Sequence, residues 1–155
     1  MDLTAKGSTL FTISTKFDPE KIKDKYEYPS TDKQYPTGLE RKDVAMTGIS
    51  SVNDAKSQEG TDLVFDANLG DVVLFSPATT PDNSAYAVNI YSIRYYSGDF
   101  ILSMQETMEK PIELEVLRPG MTTLLLSFGI YTKDSSGKPK DLIGCFYFDP
   151  SITIR

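Results

Sequence analysis

The chain contains no histidine and no tryptophan, and only one cysteine, Cys145, in 155 residues. Without histidine there is no Ser-His-Asp or Cys-His catalysis, and the commonest zinc and copper ligands are missing. A blue-copper site, which needs two histidines and a cysteine, is excluded for the same reason. One cysteine permits no intramolecular disulfide. In an apolar strand it reads as a small core residue and fits a reducing compartment. No apolar run approaches the roughly 18–20 residues of a membrane-spanning helix. Met1 to Lys6 lacks the apolar segment of a secretory leader, so a cytoplasmic protein with no membrane partner is expected. Gly-x-Gly-x-x-Gly, Walker A and Gly-x-Ser-x-Gly are also absent, and no nucleotide or hydrolase chemistry follows.

A basic surplus is lacking too. The formal net charge is −6 and the sequence pI about 4.6. Nucleic-acid binding needs Lys and Arg to neutralise phosphates, so no nucleic-acid partner is expected. The acidity is uneven. From Lys16 to Asp43 seven basic and seven acidic residues cancel, whereas from Val44 to Met108 eight acidic residues face only Lys56 and Arg94. A solvated sheet face accounts for this without an acidic binding surface.

What is present is strand pattern. Hydrophobic residues at 39% and charged residues at 25% mark a globular chain. Its length suits a single β-sandwich domain over residues 1–155. Thr9 to Phe17 alternates, with Phe11, Ile13, Thr15 and Phe17 on one face. Asp18-Pro19-Glu20 then predicts an N-cap and a short helix from Pro19 to about Tyr26. Residues 27–43 form a long polar connection, which Tyr26, Tyr28 and Tyr35 would pin to the body. Val44 to Ile49 predicts a short strand. Asp62 to Ala67 and Val72 to Ser76 predict two strands around a Gly70-Asp71 turn, an antiparallel corner with Leu63, Phe65, Val73 and Phe75 inward. Ala85 to Tyr96 is apolar on both faces in part and suggests a central strand. Further strands are expected over Phe100–Glu106, Pro111–Arg118, Thr122–Thr132, Leu142–Phe148 and Ile152–Ile154. The fold class predicted is all-β, an immunoglobulin-like antiparallel sandwich of about eight or nine strands with one short helix after the first.

Three constellations bear on chemistry. Asp66 to Asp71 has oxygen donors at close spacing, but does not match the calcium loop of an EF-hand, and a plain turn is the reading kept. A glycosidase-like carboxylate pair has no local signature among 22 acidic residues. Tyr91, Tyr95 and Tyr96 near Asp99 suit an aromatic-plus-acid sugar platform, against which stands ordinary cross-strand packing of tyrosine. No catalytic, cofactor-binding or metal residue is assigned, and no cofactor is expected.

The ordered motifs resemble the inclusion body proteins of the PixA/AidA type. The matching stretches are Phe11-Thr12-Ile13-Ser14-Thr15 before the short helix, Tyr28-Pro29-Ser30, the Asp62–Val73 corner and the Tyr-rich Asn83–Tyr91 run. The closing Gly144-Cys145-Phe146-Tyr147-Phe148-Asp149-Pro150-Ser151-Ile152-Thr153-Ile154 is the most specific. The family often carries Trp where this chain has Phe75 and Phe148, so an aromatic ring is kept at both. The resemblance implies a bacterial, intracellular sandwich, in some members accumulating as inclusions or under quorum-sensing control, and it brings no catalytic residue. The expectation is a non-enzymatic protein that self-associates as a homo-oligomer. The alternative is a carbohydrate or small-molecule binding module using residues 27–43 and Tyr91–Asp99.

Overall fold

The computed structural model describes residues 9–50, 62–80, 83–103 and 113–155. Outside the described residues lie 1–8, which the sequence reads as a loose start, most of the polar stretch Ser50–Gly60, which it reads as a loop, the tip of a second such loop at Pro77–Ser84, the end of the strand expected to reach Glu106, and the strand start at Pro111 and Ile112. In chain order the elements are β1 (Leu10–Phe17), α1 (Pro19–Lys25), β2 (Thr37–Gly38), a 3-10 turn (Arg41–Asp43), β3 (Val44–Ser50), β4 (Asp62–Phe65), β5 (Val72–Thr79), β6 (Tyr86–Gly98), β7 (Glu113–Glu115), β8 (Gly120–Lys133), β9 (Pro139–Phe148) and β10 (Ser151–Ile154).

Two sheets result. The first runs β3-β1-β5-β7. The second is built on β8, whose fourteen residues are shared by several neighbours. Along one edge β8 pairs with β6. Along the other it pairs with β10 over Gly120–Thr123 and with β9 from Leu126 onward. β4 extends the sheet beyond β10, and β2 extends it beyond β9.

The core lies between the sheets. Phe17 of β1 packs on Phe128 of β8 with ring centroids 3.9 Å apart, and meets Phe148 edge-on at 6.1 Å. Phe11 and Phe65 make a second bridge between the layers at 5.0 Å. Ile13, Val73, Phe75 and Leu114 from one side, and Leu63, Leu124, Leu126 and Ile152 from the other, are fully buried. Such inward alternation is what two facing sheets require. α1 starts where expected: the Asp18 carboxylate accepts the Lys21 N–H at 3.2 Å, Pro19 occupies the first turn, and Ile22 is buried against the sandwich.

Several expectations are corrected. The sandwich is not purely antiparallel, because β1–β5, β4–β10 and β2–β9 are parallel pairs. Ten strands are described instead of eight or nine. β2 arises inside the long connection by pairing with β9, while Phe100–Ser103 supplies only an isolated bridge from Leu102 to Val116.

The Asp62–Ser76 corner does not join a hairpin. β4 belongs to the second sheet and β5 to the first, so residues 66–71 carry the chain across the core from layer to layer. Leu63, Phe65, Val73 and Phe75 are buried as predicted, and Gly70 takes φ 90°. β5 continues through Pro77 to Thr79. Val72 and Thr80 donate their N–H groups to Thr9 and Phe17 of the β1 side, so by the period of two the nitrogen of Pro77 faces away from β1.

β6 is not central either, since among the described residues it pairs with β8 alone. Register shifts at Ile90/Ser92 and Tyr95/Ser97 break its alternation. The first lets Ile90 and Ile93 both enter the core, and it turns Tyr91, Ser92, Arg94 and Tyr96 to the opposite face.

Candidate functional site

The outer face of the second sheet carries a concavity. On β8 the core takes Leu124, Leu126 and Phe128, which leaves Leu125 and Ser127 outward. On β9 the core takes Phe146 and Phe148, which leaves Tyr147 outward, followed by Asp149. Strand register sets Ser92, Ser127 and Tyr147 in one row across β6, β8 and β9, and places Arg94 opposite Leu125. The segment Lys33, Gln34 and Pro36 closes one side, and Tyr96 stands at the β6 border. Together these residues surround a cavity of about 560 Å³.

The loop is held there by the sheet beneath it. Tyr91, which is buried, donates its hydroxyl proton to the Lys33 carbonyl at 2.9 Å. The Lys33 ammonium lies 5.5 Å from the centre of the Tyr91 ring. Cys145 N–H donates to the Ser30 carbonyl at 2.7 Å, and the Thr37 hydroxyl accepts the Ser30 N–H at 2.9 Å. Gly38 lies beside Tyr147 so closely that a Cβ there would stand 3.0 Å from the Tyr147 hydroxyl, so a glycine keeps room for that ring. Burial, with Cys145 alongside, pushes the Tyr91 phenol up to about 12. Burial also raises the Cys145 thiol, against a lowering pull from Tyr91 and Lys33.

Asp149 is the one carboxylate lining the cavity among the described residues. Its oxygens meet the Arg41 guanidinium at 3.2 and 3.5 Å, and Arg41 also reaches Asp62 at 3.5 Å. Arg94 has no ion-pair partner among the described residues.

The tyrosine platform separates in the structure. Tyr91 and Tyr96 line the cavity, whereas Tyr95 stacks on Phe100 at 4.1 Å. Asp99 turns to the β8 start, where its carboxylate accepts the Met121 N–H at 3.3 Å. Tyr28 and Tyr35 do not pin the long connection, being 95% and 73% exposed. Tyr26 does, with its hydroxyl 2.6 Å from Asp43. The oxygen donors of the 66–71 corner are engaged in structure. Asp71 takes the N–H groups of Asn68 and Thr9 at 2.7 and 2.8 Å, and Asp66 pairs with Arg155 at 3.2 Å. No group of metal-ligating side chains occurs among the described residues. Residues 33–36 and 91–96 do meet, as the alternative expectation required. Arg94, Leu125, Ser127 and Asp149 join the site without a motif of their own, and for Arg94, Leu125 and Ser127 the local signal is an outward position on their strands.

Comparison with known proteins follows the same lines. The crystal structure of an inclusion body protein (PixA) from Burkholderia cenocepacia J2315 matches this fold with a TM-score of 0.79, covering 100% of both chains at 24% identity. No curated protein matches the chain. The family model described as PixA, inclusion body protein, matches residues 10–111, which include the Lys33–Pro36 and Tyr91–Tyr96 walls of the cavity. That match spans more than half of the sequence, and the chain belongs to the PixA inclusion body protein family.

Proposed function

We propose that this protein is a non-catalytic binding module whose outer-sheet groove takes a small ring-bearing molecule, a sugar or another amphipathic compound. One observation carries the reading. Two segments far apart in sequence, residues 33–36 and 91–96, converge over β8 and β9 around a cavity of about 560 Å³. Small-molecule sites commonly fall in the range of roughly 300–1,000 Å³ and combine apolar walls with a few polar groups. Here Tyr96, Tyr147 and Leu125 offer apolar surface, and Ser92 and Ser127 offer hydroxyls. A binding role is supported over catalysis because the one carboxylate of the groove among the described residues, Asp149, is already engaged by Arg41. A carboxylate enzyme needs a second acid facing it. A buried, unpaired Cys145 supports a reducing, cytoplasmic setting.

The test is a titration of isotope-labelled protein with a panel of monosaccharides and aryl compounds, followed by NMR. Saturable shifts confined to Ser92, Tyr96, Ser127 and Tyr147, lost in Tyr96→Ala, are expected. A panel that moves none of these signals removes the reading.

Self-association is a second reading, favoured by the thirteen-residue β6, whose edge away from β8 has no strand partner among the described residues. An open edge is a route to pairing with another copy. Light scattering over a wide concentration range tests it, and a monomer throughout would sink it. Kinship with immunoglobulin-like sandwiches is supported by the two facing layers and the sheet-crossing corner, with the three parallel pairs as a departure.

A further inference from the structure

We propose that the groove selects negative charge, so that its ligand is a small ring compound bearing one carboxylate, held by Arg94 and Lys33. This rests on reading the groove as a binding site and adds the charge of what it binds.

The protein as a whole is acidic, at net −6, yet the groove is locally basic. Between Val44 and Met108 only Lys56 and Arg94 are basic, and the bulge at Tyr91 aims Arg94 into this cavity. Lys33 arrives from the loop on the other side, anchored through its own carbonyl by Tyr91. The opposing charge is spent elsewhere, because Asp149 faces the Arg41 guanidinium at 3.2 Å. Arg94 and Lys33 therefore line the cavity with no ion-pair partner of their own among the described residues, while its one carboxylate there, Asp149, is paired with Arg41.

A guanidinium presents a planar fork of donors that fits a carboxylate with two parallel hydrogen bonds. Register sets Leu125 directly across from Arg94 on the neighbouring strand, with β6 and β9 on either side of β8. A ring bound through its carboxylate to Arg94 would then lie over Leu125, between Tyr96 and Tyr147, with the Ser92–Ser127 hydroxyls within reach of ring substituents.

The probes are matched pairs differing only in charge: glucuronate against glucose, and benzoate against benzyl alcohol. The two pairs separate a sugar ring from an aryl ring. Affinities are read from groove chemical shifts in the native protein, in Arg94→Gln and in Arg94→Lys, each checked for an unchanged melting temperature. At low salt the anion of at least one pair should bind about tenfold or more tightly than its neutral partner, the scale of a charge-assisted hydrogen bond. The advantage should shrink with added salt, vanish in Arg94→Gln and survive in part in Arg94→Lys. If neutral and anionic partners shift the groove equally, the charge selection is wrong while the groove remains a binding site. If no compound of either kind shifts it, both readings fall.

Discussion

The Tyr91 hydroxyl and the Lys33 carbonyl, 58 residues apart in sequence, meet at 2.9 Å and tie the long connection to the floor of the groove. The phenol that makes this bond is pushed up to about 12, by burial first and by Cys145 alongside. Its ordinary value is 10.0. A group whose folded value is raised adds stability that is complete below pH 10 and is lost as pH climbs toward 12. Tyr91→Phe should therefore flatten the alkaline part of the stability curve relative to the parent. Near neutral pH it should cost about 1 kcal/mol through the lost bond. Urea melts across alkaline pH measure both, and hydrogen exchange should show faster opening of residues 30–37. Parallel pH curves for the two proteins would disprove the coupling.

Thr15 is fully buried between Ile13 and Phe17 on β1, and its hydroxyl oxygen has no hydrogen-bond partner among the described residues. A polar atom in that position has lost water and gained nothing. Thr15→Val keeps the shape and removes the deficit, so the melting temperature should rise, by roughly 1 kcal/mol of stability. Thermal denaturation decides it, and an equal or lower melting temperature counts against an unsatisfied hydroxyl.

The sheet-crossing corner depends on Asp71, only 2% exposed, whose two oxygens accept the N–H groups of Thr9 and Asn68. Asp71→Ala orphans both donors and should cost about 2–4 kcal/mol. Asp71→Asn retains one acceptor and should recover part of that. At the adjacent Gly70, φ 90° is unfavourable for a side chain with a Cβ, and Gly70→Val should cost about 1 kcal/mol or more. Chemical denaturation of the three variants ranks them, and parent-like midpoints would show that the corner is slack.

Near α1, burial alone would raise Asp43, but the Tyr26 hydroxyl at 2.6 Å and the Lys25 ammonium at 3.0 Å outweigh it and hold the carboxyl below its ordinary value of 3.8. A depressed carboxyl contributes stability above its unfolded value that is lost as pH falls through the folded one. Asp43→Asn should remove that acid-side loss and cost up to about 1 kcal/mol at neutral pH, given a partly exposed lysine. Acid titrations of stability, parent against variant, check the sign.

Strands with one clean buried face were legible from sequence. β1 alternates without interruption, and the expected inward residues Phe11, Ile13, Thr15 and Phe17 are buried. β6 misled because its two bulges, at Ile90/Ser92 and Tyr95/Ser97, reset the alternation. The parallel pairing of β1 with β5 was equally hidden, since a strand's sequence records which face is buried but not which neighbour lies beside it. The groove was half visible. Its two contributing segments stood out by length and tyrosine content. Arg94, Ser127 and Asp149 join them only through the long-range registers of β8 with β6 and β9.

β4 waits for β10 during folding. Among the described residues its one strand neighbour is that late-synthesised segment, and the two lie parallel. Such pairing cannot nucleate locally, because loop closure must come before any contact repays it. Until β10 is made, β4 lacks that strand neighbour, although Phe65 can already meet Phe11 of β1. Closure of the second sheet at β4 is therefore a late, long-range event in folding that can come only after β8 to β10 have been made.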